Sequence, residues 1–479
     1  MKSTTSLLLA VASTTPSLFI ANAQEQTITK CDTENISTCA TTANRTCYNY
    51  EELGTHECGN CLADYFEYKD DCYAIDDIGT DRFLLLSELL DLFLPDYVDD
   101  DTISTETRAL RLIAATRIIS YWDSQVPPVE FKLGLNMETF LTEEEWIGRL
   151  GVSPDVGYET DGVKGEMERF EFEGRKLEDA PPAVDWDAEG YTTSVKNQGL
   201  CGCCWAVSVV AAVESALMIT NQTSRTDPLD KNSLSWQQLI SCDDKDSGCD
   251  GGNILQATRY VWEHDNFQNG NFGGIVSYAD YPYTDRMGKT TTECQADSKS
   301  FTPAAYLNFP KIVNSVSDRS SFEERRDRLK AAVAKQPVTS VLKSGCTLLM
   351  NYEEGVLTHD TGCECGESSC IDHAIVITGY DTTASTPYWK LRNSWGANWG
   401  EEGYFRIAMN DQGQGWGLFG MLAEAALPSE AYTNLEDLPE RPGWWETAMT
   451  WEKTLVILFS ILGFCCLCGC LGALWSKRK

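Results

Sequence analysis

The stretch QGLCGCCWAVSVVAAVESALMI, residues 198–219, decides how the rest of the chain is read. A Gly-rich turn runs into a mostly apolar segment long enough for a buried helix, and it delivers Cys204 to the helix start. Unpaired N–H groups and the dipole at such an end stabilise negative charge, so a thiolate is favoured there, and the thiolate is the nucleophilic form. Three cysteines in four positions, Cys201, Cys203 and Cys204, leave two other readings open: a structural disulfide cysteine, or a Cys201-x-x-Cys204 redox pair.

A thiol nucleophile needs a base and a group that orients the base, distant in sequence and near in space. The chain has four histidines. His56 lies in a small Cys-rich region, His264 at a polar helix end and His359 in a loop. His373 directly precedes AIVITGY, a strand-like run that would hold it at the mouth of a sheet. Twenty residues on, RNSWGANWGEEGYFRI brings Asn393, able to bond the His373 ring, and Trp395, able to shield that bond from water.

Together these segments resemble the papain-like cysteine proteases. VDWDAEGYTTSVKNQGLCGCCWA is similar to the family's mature start and nucleophile block. LSWQQLISCDDKDSGCDGG, DHAIVITGY and NSWGANWGEEGYFRI resemble its following blocks. The resemblance implies an α+β fold of two lobes, a helical left half and a β-barrel-like right half, with the site between them. It implies Cys204 as nucleophile, His373 as its proton partner in a thiolate–imidazolium pair, and Asn393 as the orienting group. The Gln198 amide and the Cys204 N–H would be the oxyanion donors. Gly251 and Gly252 would let a peptide substrate lie against the backbone as an added strand, with Trp395 alongside. Cys201–Cys249 and Cys242–Cys294 would be the left-half bridges. Neither a metal nor a cofactor is expected.

The sequence also departs from the pattern. Cys203 stands where Ser or Ala is usual, either as a small-residue swap or as a thiol whose oxidation silences the site. His373 and Asn393 follow Cys204 by 169 and 189 residues, beyond the usual separation of about 130–150, so loops have lengthened. Trp416 occupies a frequent cysteine position, so Cys346, Cys363, Cys365 and Cys370 must pair among themselves or stay free.

Upstream, residues 77–179 read as an inhibitory prodomain and linker. Residues 105–123 carry a helical pattern in which Arg108, Leu112, Ile119 and Asp123 fit the family's helix signature, with Ala115 at a usually polar place. FKLGLNMETFLTEEEW predicts a short extended segment followed by a helix starting near Thr142, and residues 155–178 read as a Gly- and charge-rich linker. The prodomain is thus expected as the enzyme's own inhibitor, with peptides or proteins as substrates.

The 479 residues carry 38 Lys+Arg against 72 Asp+Glu, a formal charge of −34. That balance argues against nucleic acid as a partner. The 20 cysteines fall in clusters. Six lie between Cys31 and Cys72, in a module at 24–76 that predicts three bridges of unassigned order. Four lie in the apolar run 454–475, either as filler or for S-acylation. Residues 1–23 read as a signal peptide ending in Ala21-Asn22-Ala23, and Asn35, Asn44 and Asn221 head glycosylation sequons. The domain at 180–428 is followed by an acidic stalk, 429–453. The run 454–475 would span about 33 Å as a helix, enough to cross a bilayer. Basic residues at 476–479 would make a cytoplasmic tail and so place the body in the lumen or outside the cell. Expected sites are an endolysosomal or vacuolar membrane or the plasma membrane. Rival readings are a silent surface-binding homologue and a thiol–disulfide oxidoreductase.

Overall fold

The structure, a computed structural model, describes residues 180–225, 232–262, 274–288, 291–295 and 302–434 apart from 309. It also describes 65–68, 71–74, 115, 119, 122, 125, 128–134, 136–141, 143–152, 167–170 and 437. The signal peptide, most of the Cys-rich module, most of the stalk, the apolar run 454–475 and the basic tail lie outside these residues, as do Asn35 and Asn44. Among the described residues no helix is long and apolar enough to cross a membrane.

The segment 198–219 folds as its apolar character requires. Helix Cys204–Thr220 is buried along almost its whole length, which is why it shows no polar face. Helices Trp236–Cys242 and Ile254–Trp262 pack around it. The first of these is started by Ser235, whose hydroxyl accepts from the Gln238 N–H. These helices and their neighbours form one apolar cluster containing Trp205, Leu239 and Ile254.

The other half is built on a ten-stranded sheet. Its long strand, His373–Asp381, pairs antiparallel with Tyr388–Arg392, Val338–Leu342 and Ala183–Asp185. The register of its pairing with Tyr388–Arg392 shifts between Ile377 and Gly379. Its side chains and those of Phe405, Trp389 and Leu342 make a second apolar cluster. Helix Cys204–Thr220 packs against the long strand, with Ala211 and Ala212 of the helix against Val376. The fold is the expected α+β arrangement.

Two upstream segments close the edges of this sheet. Phe131–Leu133, the expected extended segment, pairs antiparallel with Tyr352–Leu357. At the other edge Glu168–Arg169 runs parallel to Lys311–Asn314. This second pairing lies inside the segment read as a linker. Met167 and Phe170 are buried while the edge strand offers unpaired backbone groups, and a composition reading of 155–178 sees neither. Helix Glu143–Gly148 forms where its acidic start predicts. Ala115, Ile119 and Trp122 are helical and Ala115 is buried, whereas Arg108, Leu112 and Asp123 lie outside the described residues. Residues Glu430–Tyr432, assigned to the stalk by sequence, form a strand paired with Tyr306–Asn308, so the folded body runs past 428.

Four disulfides are present among the described residues. Cys201–Cys249 and Cys242–Cys294 are the two expected left-half bridges. The other half closes Cys346–Cys363 and Cys365–Cys370, the four cysteines pairing among themselves. Cys203 and Cys204 are free. The Cys-rich module contributes a described hairpin, Tyr65–Tyr68 with Asp71–Ala74, while its cysteine pairing lies outside the described residues. Asn221 is exposed in the turn that ends helix Cys204–Thr220.

Candidate active site

Cys204 is the first residue of its helix and is fully buried. The Cys201–Cys249 bridge anchors the turn before it, and the Gly202 N–H donates to the Cys249 carbonyl at 2.9 Å. With Cys201 locked to Cys249, no Cys201–Cys204 redox pair forms. The backbone N–H groups of Ala374, Gly151 and Trp205 act to lower the Cys204 pKa. Ala374 follows His373, so the start of the long strand lies against the start of the helix.

His373 is held in one orientation. Its Nε2 lies 2.8 Å from the Asn393 Oδ1, and Asn393 Oδ1 also accepts from the Ser394 N–H at 2.8 Å. The Trp395 ring packs over the imidazole, centroids 4.9 Å apart, and covers the His373–Asn393 bond as the sequence suggests. The other ring nitrogen, Nδ1, is buried with no hydrogen-bond partner. An imidazole nitrogen without a hydrogen-bond partner is free to take or give a proton.

Gln198 links the two halves. Its side-chain Oε1 accepts from Ser394 Oγ at 2.5 Å and its backbone N–H donates to the Ser394 carbonyl at 2.9 Å. Its Nε2 donates to the carbonyls of Arg149 and Cys201, both at 2.8 Å. The donor expected to face a developing oxyanion is thus occupied by a carbonyl oxygen from the upstream segment.

That segment fills the cleft. Gly252 N–H donates to the Gly151 carbonyl at 2.9 Å, and Val152 N–H donates to the Asp372 carbonyl at 3.0 Å. Val152 bridges Gly252 in parallel fashion, so Gly252 accepts an extended chain as its sequence suggested, here from the protein itself. Gly251, at φ +117°, makes the turn that brings Gly252 to this edge. Only glycine fits at 151: a Cβ there would sit 1.7 Å from the Gly202 carbonyl oxygen. Trp146 packs edge-on against Trp395 at 4.9 Å, and Arg149, paired with Glu138, lies over the same ring at 5.3 Å.

Covering the cleft sets the charge state. Burial pushes the Cys204 thiol up to about 11, against the three N–H groups that would lower it. Burial likewise drives His373 down to about 3; the Asn393 bond opposes this and the Arg149 charge adds to it. In the covered state both groups are therefore neutral. Cys203 is also buried, its sulfur 3.7 Å from the Tyr283 hydroxyl, and burial raises its pKa strongly. His359 sits in its expected loop, 2.9 Å from the Thr358 hydroxyl.

The family profile described as papain family cysteine protease matches residues 180–425, just over half the chain. The chain is a papain-family cysteine protease. It is 34% identical over 296 residues to cysteine proteinase EP-B 1 of Hordeum vulgare, covering 61% of this chain and 71% of that protein. Among solved structures, the recombinant stem bromelain precursor aligns at a TM-score of 0.57 and 24% identity, over 73% of this chain and 99% of that one, a likeness of fold. Digestive procathepsin L2 of Tenebrio molitor aligns at 0.56 and 27% identity, over 71% and 99%. These matches and the fold support a hydrolase of the cysteine endopeptidase type.

Ser394 and Trp146 are the residues that sequence reading missed. Ser394 directly follows Asn393, and its signal is that position alone. Trp146 gives none, since a Trp after three Glu reads as the apolar side of any helix.

Proposed function

We propose that Cys204, His373, Asn393 and Gln198 hydrolyse peptide bonds in a protein made as a self-inhibited zymogen. In an open cleft Cys204 attacks the substrate carbonyl as a thiolate. The carbonyl oxygen takes negative charge between the Gln198 amide and the Cys204 N–H, and His373 protonates the departing amine. Water activated by the same His373 then cleaves the thioester and restores Cys204. Asn393 keeps the ring oriented throughout, and Gly251, Gly252 and Trp395 border the substrate strand.

The observation that carries this reading is the carbonyl of Arg149 on Gln198 Nε2 with Gly151 seated at the Cys204 sulfur. A peptide backbone already lies along the proposed reaction path. Because its presence holds Cys204 and His373 neutral, the same contact blocks access and suppresses the nucleophile. The region 77–179 accordingly acts as the inhibitor of the domain starting at 180.

The leader at 1–23, the sequons at Asn35, Asn44 and Asn221, and the apolar run 454–475 with its basic tail support delivery through the secretory pathway. They also support tethering at an endolysosomal, vacuolar or plasma membrane, with the enzyme on the lumenal or outer side. Cleavage of a peptide library by processed protein, scanned against pH, tests the activity. Cys204→Ala is expected to show no cleavage, and cleavage at the wild-type rate by that variant would refute the assignment.

A further inference from the structure

The upstream chain meets the folded body twice. Residues 149–152 cross the cleft, and residues 167–170 lie at the sheet edge opposite strand Phe131–Leu133. We propose that this far edge is a second peptide-docking site, separate from the catalytic cleft. It takes an extended segment in which a cation is followed by an aromatic ring, and residues 167–170 are its occupant in the uncleaved chain.

Three contacts define what the site accepts. The first is backbone pairing. Strand Lys311–Asn314 is paired with Ala425–Leu427 on one side and with Glu168–Arg169 on the other. Phe170 N–H donates to the Ile312 carbonyl at 2.8 Å. Without residues 168–170 this edge would present unpaired N–H and C=O groups, the template on which strand addition works. The second is an aromatic slot. Phe170 is buried with the apolar cluster that holds Val313 and Leu329, and the Lys335 ammonium stands 4.9 Å from its ring centroid. Met167 is buried in the neighbouring cluster with Ile312. The third is a preset carboxylate. Asp318 is 3% exposed, and its Oδ2 accepts from Arg328 at 3.0 Å and from the Ser315 N–H at 3.2 Å. Its other oxygen pairs with Arg169. Arg169 is 44% exposed, so water screens that ion pair. Selectivity then comes mainly from the Phe170 slot, with Arg169 setting register.

The site changes how removal of the prodomain works. Residues 153–166 join the two contacts covalently, so binding at one raises the effective concentration at the other. A cut within 153–166 releases the cleft and leaves 167–170 on the enzyme side. A cut within 171–179 frees both contacts and opens the far edge to other peptides of the same chemistry. The docking claim stands on these contacts; it rests on the zymogen reading only in treating 167–170 as removable.

Hydrogen exchange on full-length Cys204→Ala protein, which cannot cleave itself, tests the proposal. With Arg169→Ala and Phe170→Ala added, exchange at residues 311–314 should rise at least tenfold while 352–357, the partner of the cleft-side strand, stays unchanged. A synthetic peptide of residues 165–174, added at millimolar concentration, should restore protection, and the same peptide with both substitutions should not. Arg169→Ala alone should give a smaller rise at 311–314 and serves if the double variant fails to fold. No rise at 311–314, an equal rise at 352–357, or no restoration by the peptide would overturn the second site. Loss of the protease reading would show instead as unchanged peptide cleavage by Cys204→Ala.

Discussion

The two halves of the catalytic domain reach the same point by different means. The helical half presents Cys204 through local structure: a helix start, a turn fixed by Cys201–Cys249 and a run of apolar residues that buries the helix all round. The sheet half presents His373 and Asn393 through long-range pairing. His373 pairs with Leu342, and Val376 with Arg392, the residue before Asn393. A nucleophile can be prepared by the residues beside it, because a helix end supplies its own field. A base with a fixed ring orientation needs partners that only a sheet register brings close. On the proposed mechanism neither half carries the chemistry alone.

The sharpest way to break that comparison is a double substitution. Cys204→Ser and His373→Ala should each lower kcat/KM of processed protein by about 10⁴-fold, and together by no more than either alone, because they act as a unit. Losses that multiply would mean that the halves work independently. Asn393→Ala leaves both reacting groups in place and frees only the imidazole; a loss of about 10²-fold in kcat with a displaced pH profile is expected. An unchanged profile would reduce Asn393 to a packing residue.

The disulfides offer a smaller contrast. Cys201–Cys249 closes 48 residues and Cys365–Cys370 closes 5. Loop-closure entropy then makes the first worth about 2 kcal/mol more than the second. Urea unfolding of the two paired Cys→Ala variants should show that gap, with the left-half variant the weaker.

Proton linkage gives the smallest effect and the finest test of pairing across the cleft. In the covered state Cys204 holds its proton and His373 has none, because burial puts them at about 11 and about 3. On the proposed mechanism, opening the wild-type cleft moves one proton from Cys204 to His373 and takes none from solvent. Release of residues 149–152 should therefore show no contribution from the pair between about pH 8 and about pH 4. In Cys204→Ala the open imidazole titrates near its ordinary value of about 6.5 while the covered one stays depressed. Covering should then weaken by about fivefold from pH 6.5 to 5.5 relative to wild type. Exchange at 149–152 in the two proteins measures this, with every other titrating group common to both. Equal pH dependence would show that Cys204 and His373 do not share a proton.

Much of this was legible in the residues themselves. Cys204 at a helix start, His373 at a strand start and Asn393 twenty residues on are local facts of pattern and spacing. So is the apolar helix, whereas the two left-half bridges were implied only by the family resemblance. Other features had no local signature. The pairing of Cys346 with Cys363 and of Cys365 with Cys370 depends on which loop ends meet. Ser394 earns its place only because the turn after Asn393 touches Gln198, 196 positions upstream.

By itself the sequence determined which elements carry the candidate reactive residues, because helix ends and strand patterns are governed by near neighbours. The tertiary structure decided what those atoms face. It put the Arg149 carbonyl on Gln198, Gly151 against Gly202 and residues 167–170 on a sheet edge. Those contacts depend on register and close approach between segments far apart in the chain, which no local pattern encodes.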